Sequence, residues 1–281
     1  MEACIQASFF VNYLNMLSKN NTKSPAISSF NLIYIWVFLY VFLTAMFVAK
    51  VHAHPQDEFI ILDIEQGELQ LNSGKVDQEY LAALKRKRLR QLAAMDWQVK
   101  FQFYLKSGFE HIIPKGLDHI LFVLGLFFAS ILLRALFWQI TAFTLAHSIT
   151  LGLASIGLIN VSTSLVEPLI ALSIVWVAIE NCLFKTTKKW RPILVFCFGL
   201  LHGLGFAAVL TEFGLPKTDL VSSLLAFNIG VELGQLTIIF VALLMTFSIQ
   251  KKTWYRQRMQ IPVSIVIGLV GCYWFVERVF F

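Results

Sequence analysis

Three histidines, His119, His147 and His202, and three carboxylates, Asp118, Glu180 and Glu232, stand inside long apolar stretches of this chain. An ionisable side chain costs roughly 2.5–3.5 kcal/mol to insert at the centre of a bilayer-spanning helix, so each marks a place where charge or coordination is used. Imidazole with carboxylate suits Ni2+, Co2+, Zn2+ or Mn2+, with less call for soft Cu(I). The same groups also build proton relays, and residue types alone do not separate the two. Further polar residues accompany them: His111 ahead of the first stretch, Ser148 beside His147, Glu167 and Asn181 on the third stretch, and Asn228 and Gln235 around Glu232. Asn228, Glu232 and Gln235 follow i, i+4, i+7 spacing and line one helix face. His147, His202 and Glu232 fall near the middle of their stretches, Asp118 and His119 at the outer end and Glu180 towards the inner end. The expected result is a polar track across the membrane. A single buried His or Asn is ordinarily an interhelical hydrogen-bond partner contributing about 0.6 kcal/mol. Three His and three carboxylates exceed what packing needs.

The stretches that carry these residues are six apolar runs at 117–133, 135–157, 166–184, 192–212, 221–248 and 261–279. Each is near the ~20 residues a helix needs to cross a bilayer. Composition agrees: 57% of the 281 residues are hydrophobic and 14% charged, against roughly 45–50% and 25% in soluble domains. Mean hydropathy is +0.70. A soluble globular enzyme, a disordered chain and a disulfide scaffold are excluded. Cys182, Cys197 and Cys272 lie within apolar runs and no CxxC pair occurs, so no Cys-based zinc site is indicated. The expected fold is an all-α integral membrane protein, a six-helix transmembrane bundle over 116–281. An N-terminal signal peptide or signal anchor (1–53) and a small extracytoplasmic region (54–115) precede it.

Within 1–53 the apolar run 32–49 is followed by Val51-His52-Ala53, a signal-peptidase pattern. In 54–115, stretches 58–64 and 68–71 flank Gly67 as a possible hairpin, and 77–106 reads as an amphipathic helix. Its basic run, Lys85, Arg86, Lys87, Arg88 and Arg90, reads as a solvated face. Between the spans, Arg134, Lys185, Lys188, Lys189, Arg191, Lys251, Lys252, Arg256 and Arg258 fall on one side and Lys217 alone on the other. That bias makes the basic loops cytoplasmic. It also accounts for the net charge of +6 without nucleic acid as a partner. Gly199 and Gly203 bracket His202, and Gly230 and Gly234 bracket Glu232. Such small-residue faces let helices approach closely and are expected here to bring His202 to Glu232. Glu277 and Arg278 are expected to snorkel to the interface.

Gly108-Phe-Glu-His111-Ile-Ile-Pro114-Lys-Gly116-Leu-Asp118-His119-Ile-Leu-Phe resembles the first-span signature of the HupE/UreJ family of membrane proteins. Phe143-Thr-Leu-Ala-His147-Ser148-Ile-Thr150, Val166-Glu167-Pro through Glu180-Asn181, Phe198-Gly-Leu-Leu-His202-Gly203 and Phe227-Asn228-Ile-Gly230-Val-Glu232-Leu-Gly-Gln235 are similar to its later motifs. The resemblance covers about 101–281. It implies an accessory membrane protein of the nickel/cobalt permease type, associated with metalloenzyme maturation, in which the Asp118-His119 element handles metal. The shorter permeases show His-Pro ahead of this element, whereas here His111 and Pro114 are separated by two residues.

The leading expectation is a bacterial cytoplasmic-membrane permease that moves Ni2+ or Co2+ and holds no permanent cofactor. Its metal-handling residues are His119, Asp118, His147, His202, Glu232 and Glu180. His111, Asn228, Gln235, Ser148, Asn181 and Glu167 support the track. Its partners are the lipid bilayer, the divalent ion and metalloenzyme maturation machinery. One alternative is an intramembrane Zn2+ hydrolase built on His119, Asp118, His147, His202 and Ser148, since zinc makes a nucleophile of bound water. Ligands clustered around one ion near one face would favour it, whereas ligands scattered in depth favour transport. Another is a non-catalytic assembly protein whose polar residues are helix glue.

Overall fold

A computed structural model describes residues 94–281 apart from 131, 160, 185–189 and 214–218, together with 87, 90 and 91; over 207–213 it describes the backbone alone. The signal or anchor segment, the hairpin at 58–71 and most of the basic run lie outside the described residues. The described residues hold seven α-helices and no strand. They are α1 (Trp97–Ile112), α2 (Leu117–Ala129), α3 (Leu133–Ser155), α4 (Thr163–Leu183), α5 (Arg191–Phe213), α6 (Leu220–Thr246) and α7 (Ile261–Phe280). A single π-turn, Arg256–Gln260, leads into α7.

The helix expected over 77–106 is interrupted at Asp96. The Asp96 carboxylate accepts from the Trp97 backbone N–H at 2.9 Å and starts α1 afresh. Asp competes well for exposed N–H groups at such a position. A second departure follows at residues 113–116. The apolar run 117–133 is expected to cross the membrane alone, but α2 has only 13 residues. That is about 20 Å of helix, short of a ~30 Å hydrocarbon core. Instead α1 and α2 meet at a 70° bend and together form either a broken span or a re-entrant pair. Pro114 supplies no N–H to continue α1. Gly116 is required at the bend because a Cβ there would collide with the His111 carbonyl oxygen.

Helices α3 to α7 start and stop within a turn of the expected apolar runs. Four of the helices, α3, α4, α6 and α7 with its π-turn, are long and apolar enough to cross a membrane, and the bent pair brings the number to five. The apolar part of α5, Arg191–Phe206, is shorter. Large apolar side chains point outward along the bundle, including Trp138 and Leu145 on α3, Trp176 on α4, Phe240 on α6 and Leu269 on α7. A helix that is apolar outside as well as inside suits lipid surroundings.

The bundle is built from three close pairs, α3 with α5, α1 with α6 and α4 with α7, around a central α2. Helix α2 is buried continuously from Leu121 to Phe128. Helix α1 packs along α6, so residues 97–112 are part of the described bundle. The glycines explain the pairing. A Cβ at Gly199 would strike the Phe143 backbone, and one at Gly203 the His147 carbonyl and Thr150 hydroxyl, so both seat α5 on α3. Gly230 meets the Leu105 carbonyl and Gly234 the Ile112 side chain, so both seat α6 on α1. The two glycine faces therefore serve different partners and do not bring His202 to Glu232, contrary to expectation.

Candidate metal centre

His111 lies in the last turn of α1 and His119 in the first turn of α2, so the bend folds one towards the other. Their ring centroids are 4.9 Å apart. His147, from the middle of α3, brings its ring to 6.0 Å from His111 and 5.8 Å from His119. One ligand nitrogen from each of His111, His119 and His147 can be chosen so that all lie within 4.8 Å of one another. His202, from α5, adjoins this group with its ring 4.9 Å from His119. His119, His147 and His202 are at most 5% exposed. Nε2 of His111, His119 and His147, and Nδ1 of His202, are buried with no hydrogen-bond partner among the described residues. An unpaired buried imidazole nitrogen is costly in a folded core, which makes four of them together a mark of a ligand site.

The surroundings are aromatic. Phe206 packs on His111 at 3.9 Å between centroids, and Phe227 lies 5.7 Å from the same ring. Phe122 and Phe143 enclose His202 at 5.2 and 5.1 Å. Outside that wall two polar groups reach in: Asn228 lies 3.4 Å from Nδ1 of His147, and Ser173 lies 3.1 Å from Nε2 of His202. Neutral nitrogen donors in this number suit Ni2+, Co2+ or Zn2+ and do not suit hard cations that demand oxygen.

The carboxylates go elsewhere. Asp118 is gripped by Arg278 through both oxygens. Glu232 accepts from the Thr141 hydroxyl at 2.8 Å. Glu180 faces the Arg191 guanidinium at 3.6 Å. It follows Ser173 by seven residues on α4, or about 10 Å along the axis. Glu167 is exposed, and its backbone carbonyl takes a bond from Arg278. Gln235 accepts from Thr144 at 3.0 Å, and Ser148 donates to the Thr144 carbonyl at 2.6 Å. Asn181 donates to the Gly125 carbonyl and to Ser264, tying α4 to α2 and α7. The histidines thus converge on one locus with the Asn228 amide against His147, whereas the carboxylates, Gln235 and Asn181 are spread along the bundle.

The model of the family described as HupE / UreJ protein matches residues 86–278, which takes in all seven helices but the last residues of α7. The chain belongs to the HupE/UreJ family. A search of curated proteins and of solved structures returned no match. Membership together with the apolar helices makes this a membrane protein of a nickel- and cobalt-related family.

In this HupE/UreJ protein, sequence reasoning ranked His111 as support, because it precedes the apolar run; the bend makes it part of the histidine cluster. It gave no role to Ser173, although that residue lies inside the stretch from Val166 to Asn181 that is similar to a family motif. Arg278 was expected at the interface and instead binds Asp118, part-buried. Its distance along the chain from Asp118 left no local signal. Phe206 could have been suspected from its place in the Gly203–Phe206 segment, four residues from His202.

Proposed function

We propose that this HupE/UreJ protein is a permease for a divalent transition-metal ion, Ni2+ or Co2+, in the bacterial cytoplasmic membrane. The family match carries the permease reading, and the convergence of His111, His119 and His147, each offering one nitrogen within 4.8 Å of the others and each with a buried Nε2 unpartnered among the described residues, supports a transition-metal ion as what is moved. His202 extends that locus beside His119. In this reading the described helices form six spans, α1 and α2 sharing the first, with the basic loops cytoplasmic. The ion moves between the Asp118 end and the Glu180 end of the bundle, and the histidines replace its water shell on the way. Partners in metalloenzyme maturation receive it inside. An imidazole-only station binds through neutral ligands, so exchange does not need a buried carboxylate to be freed.

A second reading, an intramembrane Zn2+ hydrolase, is favoured by the same clustering, because three histidines around one point leave a fourth position for water. The surroundings weigh against it. A zinc hydrolase needs a nearby general base, and Asp118 is held by Arg278, Glu232 by Thr141, and Glu180 faces Arg191 away from the cluster.

Uptake of Ni2+, Co2+, Zn2+ and Mn2+ into proteoliposomes tests the choice. The permease accumulates Ni2+ or Co2+, and His147→Ala abolishes accumulation. A protein that binds Zn2+ tightly, accumulates no ion and cleaves peptide or ester substrates would overturn the permease in favour of the hydrolase.

A further inference from the structure

His202 and His147 are each held from outside the cluster, through opposite ring nitrogens. The Ser173 hydroxyl donates to the Ile170 carbonyl at 2.6 Å, and a carbonyl oxygen only accepts. The single Ser173 proton is therefore committed, and its oxygen can only accept from Nε2 of His202 at 3.1 Å. Nε2 of His202 carries the hydrogen. Its other nitrogen, Nδ1, is the bare one, and that is the atom buried without a partner.

The same reasoning runs the other way for His147. The Asn228 amide nitrogen donates to the Leu224 carbonyl at 2.7 Å, which fixes the orientation of the amide. Its oxygen faces Nδ1 of His147 at 3.4 Å and can only accept. Nδ1 of His147 carries the hydrogen, and Nε2 is bare, again the atom buried without a partner. Ser173, at 1% exposure, and Asn228, at 7%, are themselves buried, so water does not substitute for either.

We propose that Ser173 and Asn228 are positioning residues that lock His202 and His147 in opposite tautomers. Each ring then turns a bare nitrogen to the ion, and both rings are closed to proton relay. The inference deepens the permease reading and rests on its metal centre. Its chemistry separates coordination from proton transfer, which residue types alone leave open. A relaying imidazole must take a proton on one nitrogen and pass one from the other. Here the hydrogen on His202 leads to Ser173 and then to the Ile170 carbonyl, which cannot pass a proton on. The hydrogen on His147 leads to an amide oxygen, which is equally a terminus. A metal ligand needs the reverse: one nitrogen anchored as a donor and the other bare. Outer partners of this kind typically change metal affinity 10–100-fold.

Histidine-selective 15N NMR of the purified chain in detergent reads the tautomers without metal, and Co2+ titration by visible absorption reads the centre. The wild type is expected to show His202 protonated on Nε2 and His147 on Nδ1. Ser173→Ala and Asn228→Leu should mix the tautomer of their own histidine and weaken Co2+ binding about 10–100-fold. Ser173→Thr and Asn228→Asp, which keep an acceptor in place, should retain both properties. Thermal melting of each variant identifies any that fail to fold, and the NMR signature of the wild type stands without them. Unchanged tautomers and affinity in Ser173→Ala and Asn228→Leu would overturn the positioning role while leaving the metal centre intact. A wild type that binds no Co2+ would overturn the centre and this role with it. Metal-free proton flux through wild-type proteoliposomes that His147→Ala abolishes would overturn the closure to relay.

Discussion

One guanidinium nitrogen of Arg278, on α7, reaches both carboxylate oxygens of Asp118, on α2, at 3.1 and 3.0 Å. The other terminal nitrogen donates to the Glu167 carbonyl on α4 at 3.1 Å, and the group lies over the Trp274 ring. A residue near the end of the described chain thus joins three helices beside the histidine cluster. Asp118 is the neighbour of His119, yet it is bound to Arg278 and does not cap its helix. Gly116 occupies the N-cap position, without a side-chain bond.

Because Asp118 and Arg278 keep a fifth to a quarter of their side chains exposed, the pair contributes on the order of 1 kcal/mol. Asp118→Asn and Arg278→Gln should each lower the melting temperature slightly, and the exchange Asp118→Arg with Arg278→Asp should recover it. Uptake of Co2+ should not recover in the exchanged protein, because a guanidinium next to His119 repels the approaching cation. Full uptake in Asp118→Asn would show that the carboxylate charge has no part in entry.

Glu180 and Arg191 are 4% and 2% exposed, so removing one partner strands the other. Glu180→Gln should destabilise the fold by about 3–5 kcal/mol, whereas Glu180→Leu with Arg191→Met should restore most of that loss. Co2+ binding at the histidines should be unchanged in the double variant. Lost binding at an unchanged melting temperature would place Glu180 within the metal centre.

Gly230→Val should destabilise the α1–α6 crossing by about 1–3 kcal/mol, because its side chain would enter the Leu105 and Phe109 backbone. Gly152→Ala is the matched control, since its nearest neighbour would be Leu224 at an ordinary 3.7 Å. Equal melting temperatures for the two variants would contradict the packing described for α1.

Lys252 is exposed in the segment before the π-turn. A cysteine there, in a background without Cys197 and Cys272, should react with an impermeant maleimide only after the membrane is opened. Labelling from the outside of intact cells would invert the bundle.

The helices were legible because hydropathy is additive along a helix: the runs at 135–157 and 261–279 map onto α3 and α7 within a turn. Span count was less so at the start, where the length of the run 117–133 does not reveal that it is one arm of a bend made at Pro114 and Gly116. The histidines were legible as rare intramembrane groups, but their depth estimates scattered them. Depth counted from span midpoints assumes straight, perpendicular helices, and the 70° bend breaks that assumption for His111 and His119. The partners of the carboxylates were less legible for a different reason. Sequence shows a charge but not its counter-ion: Arg278 and the hydroxyl of Thr141 are distant in the chain from Asp118 and Glu232, and Arg191, across the loop from Glu180, reads only as one of several loop cations.

Residues 113–116 separate two rigid rods, each carrying one histidine of the same site. The distance between those histidines is therefore a reading of the angle between α1 and α2. An ion held by both acts as a clamp on that angle, and the bundle in turn acts on the ion. Force applied to α1, which α6 grips through Gly230 and Gly234, would reach any ion held at His111 with no intermediate loop to absorb it. By reciprocity, whatever the ion gains from a favourable angle, the angle gains from the ion. The described bundle is in that sense a caliper, with one histidine on each jaw and its handle set in the glycine-lined seam between two helices.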